Sequence, residues 1–122
     1  MTTASALDEA FARGARLFDE GAFFDAHEAW EEHWRIATDA GARRFLQGLI
    51  QVAAAFHKLV VVRSPASASR LLARGIAKLD ASPDAIAGRG LEDFLVALHA
   101  CAQALATDAS DASWTMPRMH RE

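Results

Sequence analysis

The chain has 122 residues, of which 52% are hydrophobic and 24% are charged, a composition typical of one folded domain. Its formal net charge of −3 disfavours nucleic acid and an anionic membrane surface as partners, because such polyanions attract basic proteins. Cys101 is the only cysteine, and residues 1–7 lack the basic patch and apolar run of a signal peptide. We therefore expect a single domain over residues 1–122, located in the cytoplasm.

Apolar residues recur at helical spacing in the first 40 residues and predict two helices. The apolar face of the first helix consists of Leu7, Ala10, Phe11, Gly14, Ala15 and Phe18. Gly21 supplies a left-handed cap after it. The second helix follows directly and stops at Asp39-Ala40-Gly41. Its predicted apolar stripe consists of Phe23, His27, Trp30, Trp34 and Ala37.

Residues 42–62 form the most apolar segment and are predicted to be the central helix. A helix that is apolar nearly all round is buried by neighbours on several sides. Its main stripe consists of Leu46, Leu49, Ile50, Ala53, Phe56 and Val60. Polar residues interrupt any run close to the roughly 20 apolar residues that span a bilayer, so we expect no membrane span.

Two Ser-Pro pairs mark the starts of later helices, because serine favours the N-cap and proline the first helical position. Ser64-Pro65 begins a fourth helix, and Ser82-Pro83 begins a single turn that ends at Gly88. A last helix follows Gly90. Its inward residues are Leu91, Phe94, Leu95, Leu98, Ala102 and Leu105. The sequence thus predicts an all-α fold, a compact bundle of about five helices around a buried central helix, over residues 1–106.

Residues 107–122 form a polar linker and a C-terminal tail that carries Trp114, Met116 and Met119. Burying one large apolar side chain is worth about 1.5–3 kcal/mol, so we expect the tail to dock with Trp114 as its anchor. Its predicted surface is a groove beside the first and last helices, either of its own bundle or of a second subunit. A homodimer is therefore one of two predicted arrangements.

The candidate functional residues begin on the second helix. His27 and Glu31 are four residues apart, so their side chains project from one side of that helix. A carboxylate beside an apolar face is unfavourable unless it is paired, protonated or coordinated. Gln47 and Gln51 have the same spacing on the third helix and would form a polar seam with this pair. We predict that His27 and Glu31 point inward and contact at least one of Gln47, Gln51, Arg44 and His57.

Two motifs stand on these helices: F-x-x-H-E-x-W-E-x-x-W in Phe24 to Trp34, and F-L-Q-G-L-I-Q-x-A-A-A-x-H in Phe45 to His57. Together they resemble the family catalogued as domain of unknown function 309. The resemblance implies a compact multihelical fold and no established reaction. Similar proteins tend to show a Gly-Asn step before the fourth helix, where this chain has Arg63-Ser64-Pro65. The matching signature residues are His27, Glu28, Trp30, Glu31, Trp34, Gln47, Gly48 and Gln51.

The cluster around His27 and Glu31 allows three interpretations. In the first, these side chains hydrogen-bond to each other and to the glutamines, which fixes helix packing. In the second, they bind a zinc or iron ion with His57 or His33 as a third ligand. The sequence H-E-x-x-E lacks the second histidine of H-E-x-x-H, and the paired E-x-x-H motifs of a di-iron bundle are missing.

The third interpretation is a small-molecule site, in which Phe24, Trp30 and Trp34 wall an apolar cleft.

Nucleophilic catalysis by Cys101 is disfavoured, because His99 is only two residues away and lies on a different face of the last helix. The basic strip of Arg70, Arg74 and Lys78 is interpreted as a solvated helix face.

We predict a non-catalytic interaction or scaffold protein, with no metal and no cofactor assigned. The alternative is a metal-dependent or small-molecule-binding enzyme that uses the His27/Glu31 cluster. The identity of a protein partner or small molecule stays open. The candidate binding residues are His27, Glu28, Trp30, Glu31, Trp34, Gln47, Gln51 and His57.

Overall fold

The computed structural model describes residues 5–107 and 115–120, and this part of the chain contains six α-helices and no strand. The helices are α1 (Ala6–Asp19), α2 (Phe23–Trp34), α3 (Ala40–His57), α4 (Pro65–Asp80), α5 (Pro83–Gly88) and α6 (Glu92–Ala106). The predicted all-α bundle is confirmed. The short α5 is the single turn predicted after Ser82, and it brings the described helices to six.

Helix α3 forms the centre of the bundle, with α1, α2 and α4 packed against it. Its buried residues are Phe45, Leu46, Gly48, Leu49, Val52, Ala53, Ala55 and Phe56. The ring of Phe18 on α1 meets Phe23, Phe56 and Phe94 edge-on, at centroid distances of 5.0, 5.6 and 5.6 Å. These four rings join α1, α2, α3 and α6 in one aromatic cluster.

The segment Ala40–Val62 is long and apolar enough to cross a membrane by length and composition alone, with a mean hydropathy of 1.6. Of the apolar 18-residue window in this segment, 44% is buried inside the bundle. The core helix of a soluble protein has the same properties, and one helix of this kind is weak evidence for a membrane span.

The buried stripe of α2 differs from the predicted one. It consists of Phe23, Ala26, Ala29 and Trp30. His27 and Trp34, expected within the stripe, are half-buried at its edge. The two alanines allow α2 to pack closely against its neighbours, because their short side chains bring the backbones together. The apolar face is therefore rotated away from the histidine.

The central helix does not run unbroken to residue 62 as predicted, because it changes after His57 into the π-helical turn Lys58–Val62. This turn ends at Arg63, which has left-handed backbone angles of φ 63° and ψ 45°. The Ser64 N–H donates to the Lys58 carbonyl at 2.8 Å and closes the turn. Left-handed geometry at a helix end suits glycine or asparagine, so Arg63 occupies a position that either of these residues would fill with less strain.

Replacing Arg63 with glycine or asparagine is expected to stabilise the fold by about 0.5–1 kcal/mol, because a left-handed arginine is strained. Thermal denaturation followed by circular dichroism measures the change. Arg70→Gly in the middle of α4 is the matched control, and it should destabilise by about 1 kcal/mol. A lower melting temperature for both Arg63 variants would contradict the strain at this position.

The tail residues 115–120 lie against the C-terminal end of α1. The backbone N–H groups of Met119 and His120 donate to the two carboxylate oxygens of Asp19 at 2.8 and 2.9 Å. His120 Nδ1 also lies 2.9 Å from Asp19 Oδ2. Met119 is buried in the core, whereas Met116 is 38% exposed. The predicted anchor Trp114 lies outside the described residues, and docking on a second subunit stays a prediction.

Candidate functional site

Signature residues of α2 and α3 lie along one partly exposed surface, which we call the signature groove and on which two separate cavities open. Its floor is a strip of partly exposed residues at steps of three and four, with Arg44, Gln47, Gln51 and Ala54 on α3 and Lys58 directly after it. One wall is the α2 face of Phe24, His27, Glu31 and Trp34, and the other is α4 around Lys78. From Arg44 to Lys58 the groove is about 20 Å long, at 1.5 Å per residue.

The His27 side chain is held by carboxylates of its own helix. Its Nε2 lies 3.3 Å from Glu31 Oε2, and its Nδ1 lies 3.3 Å from Glu28 Oε1. The Nδ1 atom is buried, and its contact lacks hydrogen-bond geometry. Glu31 also forms an i,i+4 salt bridge with Arg35. The candidate acids and base are thus paired along α2.

Among the described residues, the hydrogen bonds and ion pairs of His27 and Glu31 do not reach α3, and the broader contact with Arg44, Gln47, Gln51 or His57 stays a prediction. Neither side chain hydrogen-bonds to Gln47 or Gln51 within the described residues, although the prediction required a partner on that helix. The reason is local, because cations and carboxylates one turn apart on the same helix meet without any ordering of a second helix. His27 does share a small cleft of about 290 Å³ with His57, and the Phe24 ring lies between them.

Gln51 has a partner that the sequence prediction missed. Its amide oxygen accepts a hydrogen bond of 2.9 Å from Lys78 Nζ on α4. Gln47, one turn earlier on α3, is half-buried and faces a cavity with the same lysine. The signal in the sequence is the strip of Arg70, Arg74 and Lys78, predicted to be a solvated helix face. Arg70 and Arg74 are exposed, whereas Lys78 bonds Gln51 of α3.

The Trp34 end of the groove is basic. A cavity of about 560 Å³ opens there between the end of α2, the start of α3 and the end of α4. The Arg43 guanidinium lies 4.3 Å from the centroid of the Trp34 ring and donates to the carbonyls of Trp34 and Ala37 at 2.8 and 3.0 Å. The described lining contains no acidic side chain. It consists of Trp34, Thr38, Ala40, Arg43, Arg44, Gln47, Ala77, Lys78 and Ala81.

Two signature residues belong to the core instead of the groove. Trp30, predicted as a wall of a ligand cleft, has no exposed surface, and its indole Nε1 donates to the Phe11 carbonyl at 3.2 Å. It packs directly over Gly14 of α1. Gly48 is buried where α3 crosses α4 next to Gly75. These positions are explained by packing, since neither presents a side chain to a ligand.

One set of metal-ligating groups occurs among the described residues. Ligand atoms of His27, Glu28 and Glu31 all lie within 4.8 Å of one another. The third group is therefore Glu28, and not His57 or His33 as the sequence interpretation had it. All three come from one helix, and the Glu28 side chain is 51% exposed. Histidine and carboxylate together would suit zinc or iron.

Cys101 lies in the core on α6 and has no exposed surface. Burial raises the pKa of its thiol to about 11, because the charged thiolate is disfavoured away from water. The thiol is therefore protonated at neutral pH and is a poor nucleophile. This agrees with the expectation that the cysteine is not catalytic.

A known family of sequences matches the part of the chain that contains most of the groove. The sequence model described as Domain of unknown function (DUF309) matches residues 11–71, half of the 122 residues. The match confirms the resemblance found in the two motifs. It includes α2, α3 and the start of α4, and therefore every groove residue named above except Lys78 and its α4 neighbours. No curated protein sequence matches the chain.

Proposed function

The chain belongs to the DUF309 family, and from this premise we propose that it is a non-catalytic interaction protein that binds its partner in the signature groove. The proposal is supported chiefly by one observation. The half-exposed signature side chains, among them Trp34, Gln47 and Gln51, line an open groove, whereas Trp30 and Gly48 serve the core. Solvent-accessible polar and aromatic groups on a rigid helical surface are suited to recognition.

The shape and pairing of the groove favour binding over catalysis. General acid–base catalysis uses groups that reach a substrate in a site from which water is excluded. The carboxylates of Glu28 and Glu31 are instead engaged by His27 and Arg35 on the surface of α2. The cleft beside His27 measures only about 290 Å³. Its other lining residues are Phe24 on α2 and, around the end of α3, Ala54, His57 and Lys58.

The charges of the groove favour an acidic partner. Glu31, the acid of the α2 wall, is paired with Arg35, whereas the cations of the groove form no ion pair with the described residues; these are Arg43, Arg44, Lys58 and Lys78. Unpaired cations along one surface attract and orient a segment of opposite charge. The other end offers an apolar contact, because the Phe24 ring is 55% exposed.

The inferred partner is therefore an acidic protein segment with an apolar residue near one end. A groove of about 20 Å accommodates roughly 14 residues of helix. An amphipathic helix laid in a groove is a common mode of peptide recognition.

This function can be tested with a synthetic 14-residue, glutamate-rich helical peptide that carries one leucine near its end. We expect amide resonances of α3 and the facing side of α2 to shift on titration, while those of α6 stay in place. Phe24→Ala should weaken binding about five-fold to ten-fold, since it removes the apolar contact. Val96→Ala is the matched control, because Val96 is 68% exposed on α6.

Three results would count against the proposal. The first is an absence of shifts along the groove with the acidic peptide. The second is equally strong binding of a lysine-rich peptide of equal length. The third is a loss of binding in Val96→Ala as large as that in Phe24→Ala. Added salt is a further check, because binding that depends on unpaired cations weakens as ionic strength rises.

The alternative is a metal-dependent or small-molecule enzyme centred on His27. It is favoured by the 4.8 Å cluster of ligand atoms from His27, Glu28 and Glu31. The metal content of the purified chain tests the metal-dependent form, because such an enzyme requires a stoichiometric ion. Loss of that ion in Glu31→Gln would locate it on α2.

A further inference from the structure

The basic cavity at the Trp34 end of the groove has positive charges that no carboxylate of its lining neutralises. Arg44 forms no hydrogen bond or ion pair with the described residues, and Lys78 bonds only the neutral amide of Gln51. Arg43 bonds two backbone carbonyls, which leaves its charge unneutralised. Three cationic residues therefore line one cavity of about 560 Å³, in a chain whose net charge is −3.

One candidate counter-ion, Asp39, already caps a helix. Asp39 precedes α3, and its carboxylate caps that helix by accepting from the Ala42 N–H at 2.8 Å. It lines the neighbouring cavity on the other side of Arg44 and is absent from the lining of the basic one. The basic cavity thus has cations without a carboxylate of the described chain to neutralise them.

Neutral donors complete the lining. The Thr38 hydroxyl and the Gln47 amide belong to the same cavity. In its wall, the indole Nε1 of Trp34 is a buried donor without a hydrogen-bond partner among the described residues. The Trp34 Nε1 atom has no surface open to the cavity, so the neutral polar groups that line it are those of Thr38 and Gln47.

We propose that this cavity binds a phosphoryl group carried by a phosphorylated side chain of the acidic partner segment. The inference deepens the interaction function and rests on it. A phosphoryl group has a charge of about −1.5 to −2 at neutral pH and three strong acceptor oxygens. Two guanidinium groups and an ammonium group match it better than they match a carboxylate, which has one negative charge and two oxygens.

The test uses the acidic peptide with phosphoserine at the position that faces the cavity, compared with the same peptide carrying glutamate there. Phosphorylation is expected to tighten binding to the unmodified protein about ten-fold. Arg44→Gln and Lys78→Gln should each abolish most of that gain. Arg74→Gln is the matched control, because Arg74 is an exposed cation one turn from Lys78 that does not line the cavity.

The inference is overturned if phosphorylation gives no gain, if the gain survives in Arg44→Gln and Lys78→Gln, or if Arg74→Gln reduces it equally. Titration with inorganic pyrophosphate separates this failure from failure of the groove itself. Pyrophosphate binding that depends on Arg44 and Lys78, without binding of either peptide, would support the anion site and reject the peptide function. Binding of the unphosphorylated peptide without any phosphate effect would reject the anion site alone.

Discussion

Replacing Trp30 with alanine is expected to lower the free energy of unfolding by about 3–5 kcal/mol, the range for removing a large aromatic side chain from a packed core. Trp30 has no exposed surface and donates its indole N–H to the Phe11 carbonyl. It also lies 6.4 Å from Phe18, centroid to centroid, in the core between α1 and α2. Urea denaturation followed by circular dichroism measures the loss.

Two further variants separate the packing of Trp30 from a general intolerance of the fold. Trp34→Ala should destabilise by only about 1 kcal/mol, because Trp34 is half-buried at the edge of the groove. Gly14→Ala should be strongly destabilising, since an added Cβ would overlap the Trp30 indole. In a Trp30→Phe background the Gly14→Ala change should be milder, and strictly additive losses would contradict direct contact.

Gly75→Ala is expected to destabilise the protein by about 3 kcal/mol, despite the higher helix propensity of alanine. A Cβ at Gly75 would lie 2.8 Å from the Gly48 carbonyl oxygen and 2.8 Å from Val52 Cγ2. The carbonyl belongs to the α3 backbone and cannot move without separating α3 from α4. The melting temperature should fall by roughly 10 °C for this loss in a chain of this size.

Gly88→Ala is the matched control for this crossing. Gly88 ends α5, and a Cβ there would meet nothing within 4 Å. The variant should therefore keep or slightly raise the stability, by at most about 1 kcal/mol. Equal losses at Gly75 and Gly88 would show that the close approach of α3 and α4 does not limit the side chain at position 75.

The two tryptophans of the signature show what helical spacing predicts and what it leaves open. Trp30 and Trp34 are four residues apart, so the sequence assigned both to one apolar stripe. In the structure Trp30 enters the core because Gly14 leaves room for its indole. Trp34, at the last position of α2, lies under the Arg43 guanidinium instead. The difference arises from residues on other helices.

The polar residues show the same limit. His27 and Glu31 were predicted to contact at least one of four polar residues of α3, whereas the ion pairs that they form lie on α2 itself. Gln51 is bonded by Lys78, which is 27 residues away in the chain. A periodic pattern identifies which side of a helix a residue occupies, but it contains no information on which distant side chain will face it.

The sequence by itself determined the all-α class, the helix starts at Pro65 and Pro83, the end of α1 before Gly21 and the family. These follow from local backbone preferences and from the period of apolar residues, which act within a few positions of the chain. Only the tertiary structure decided that Trp30 is buried while Trp34 lines a groove, and that Arg43, Arg44 and Lys78 share a cavity. Those outcomes depend on how closely α3 approaches α4 and α1 approaches α2, and that approach is set by packing between residues far apart in sequence.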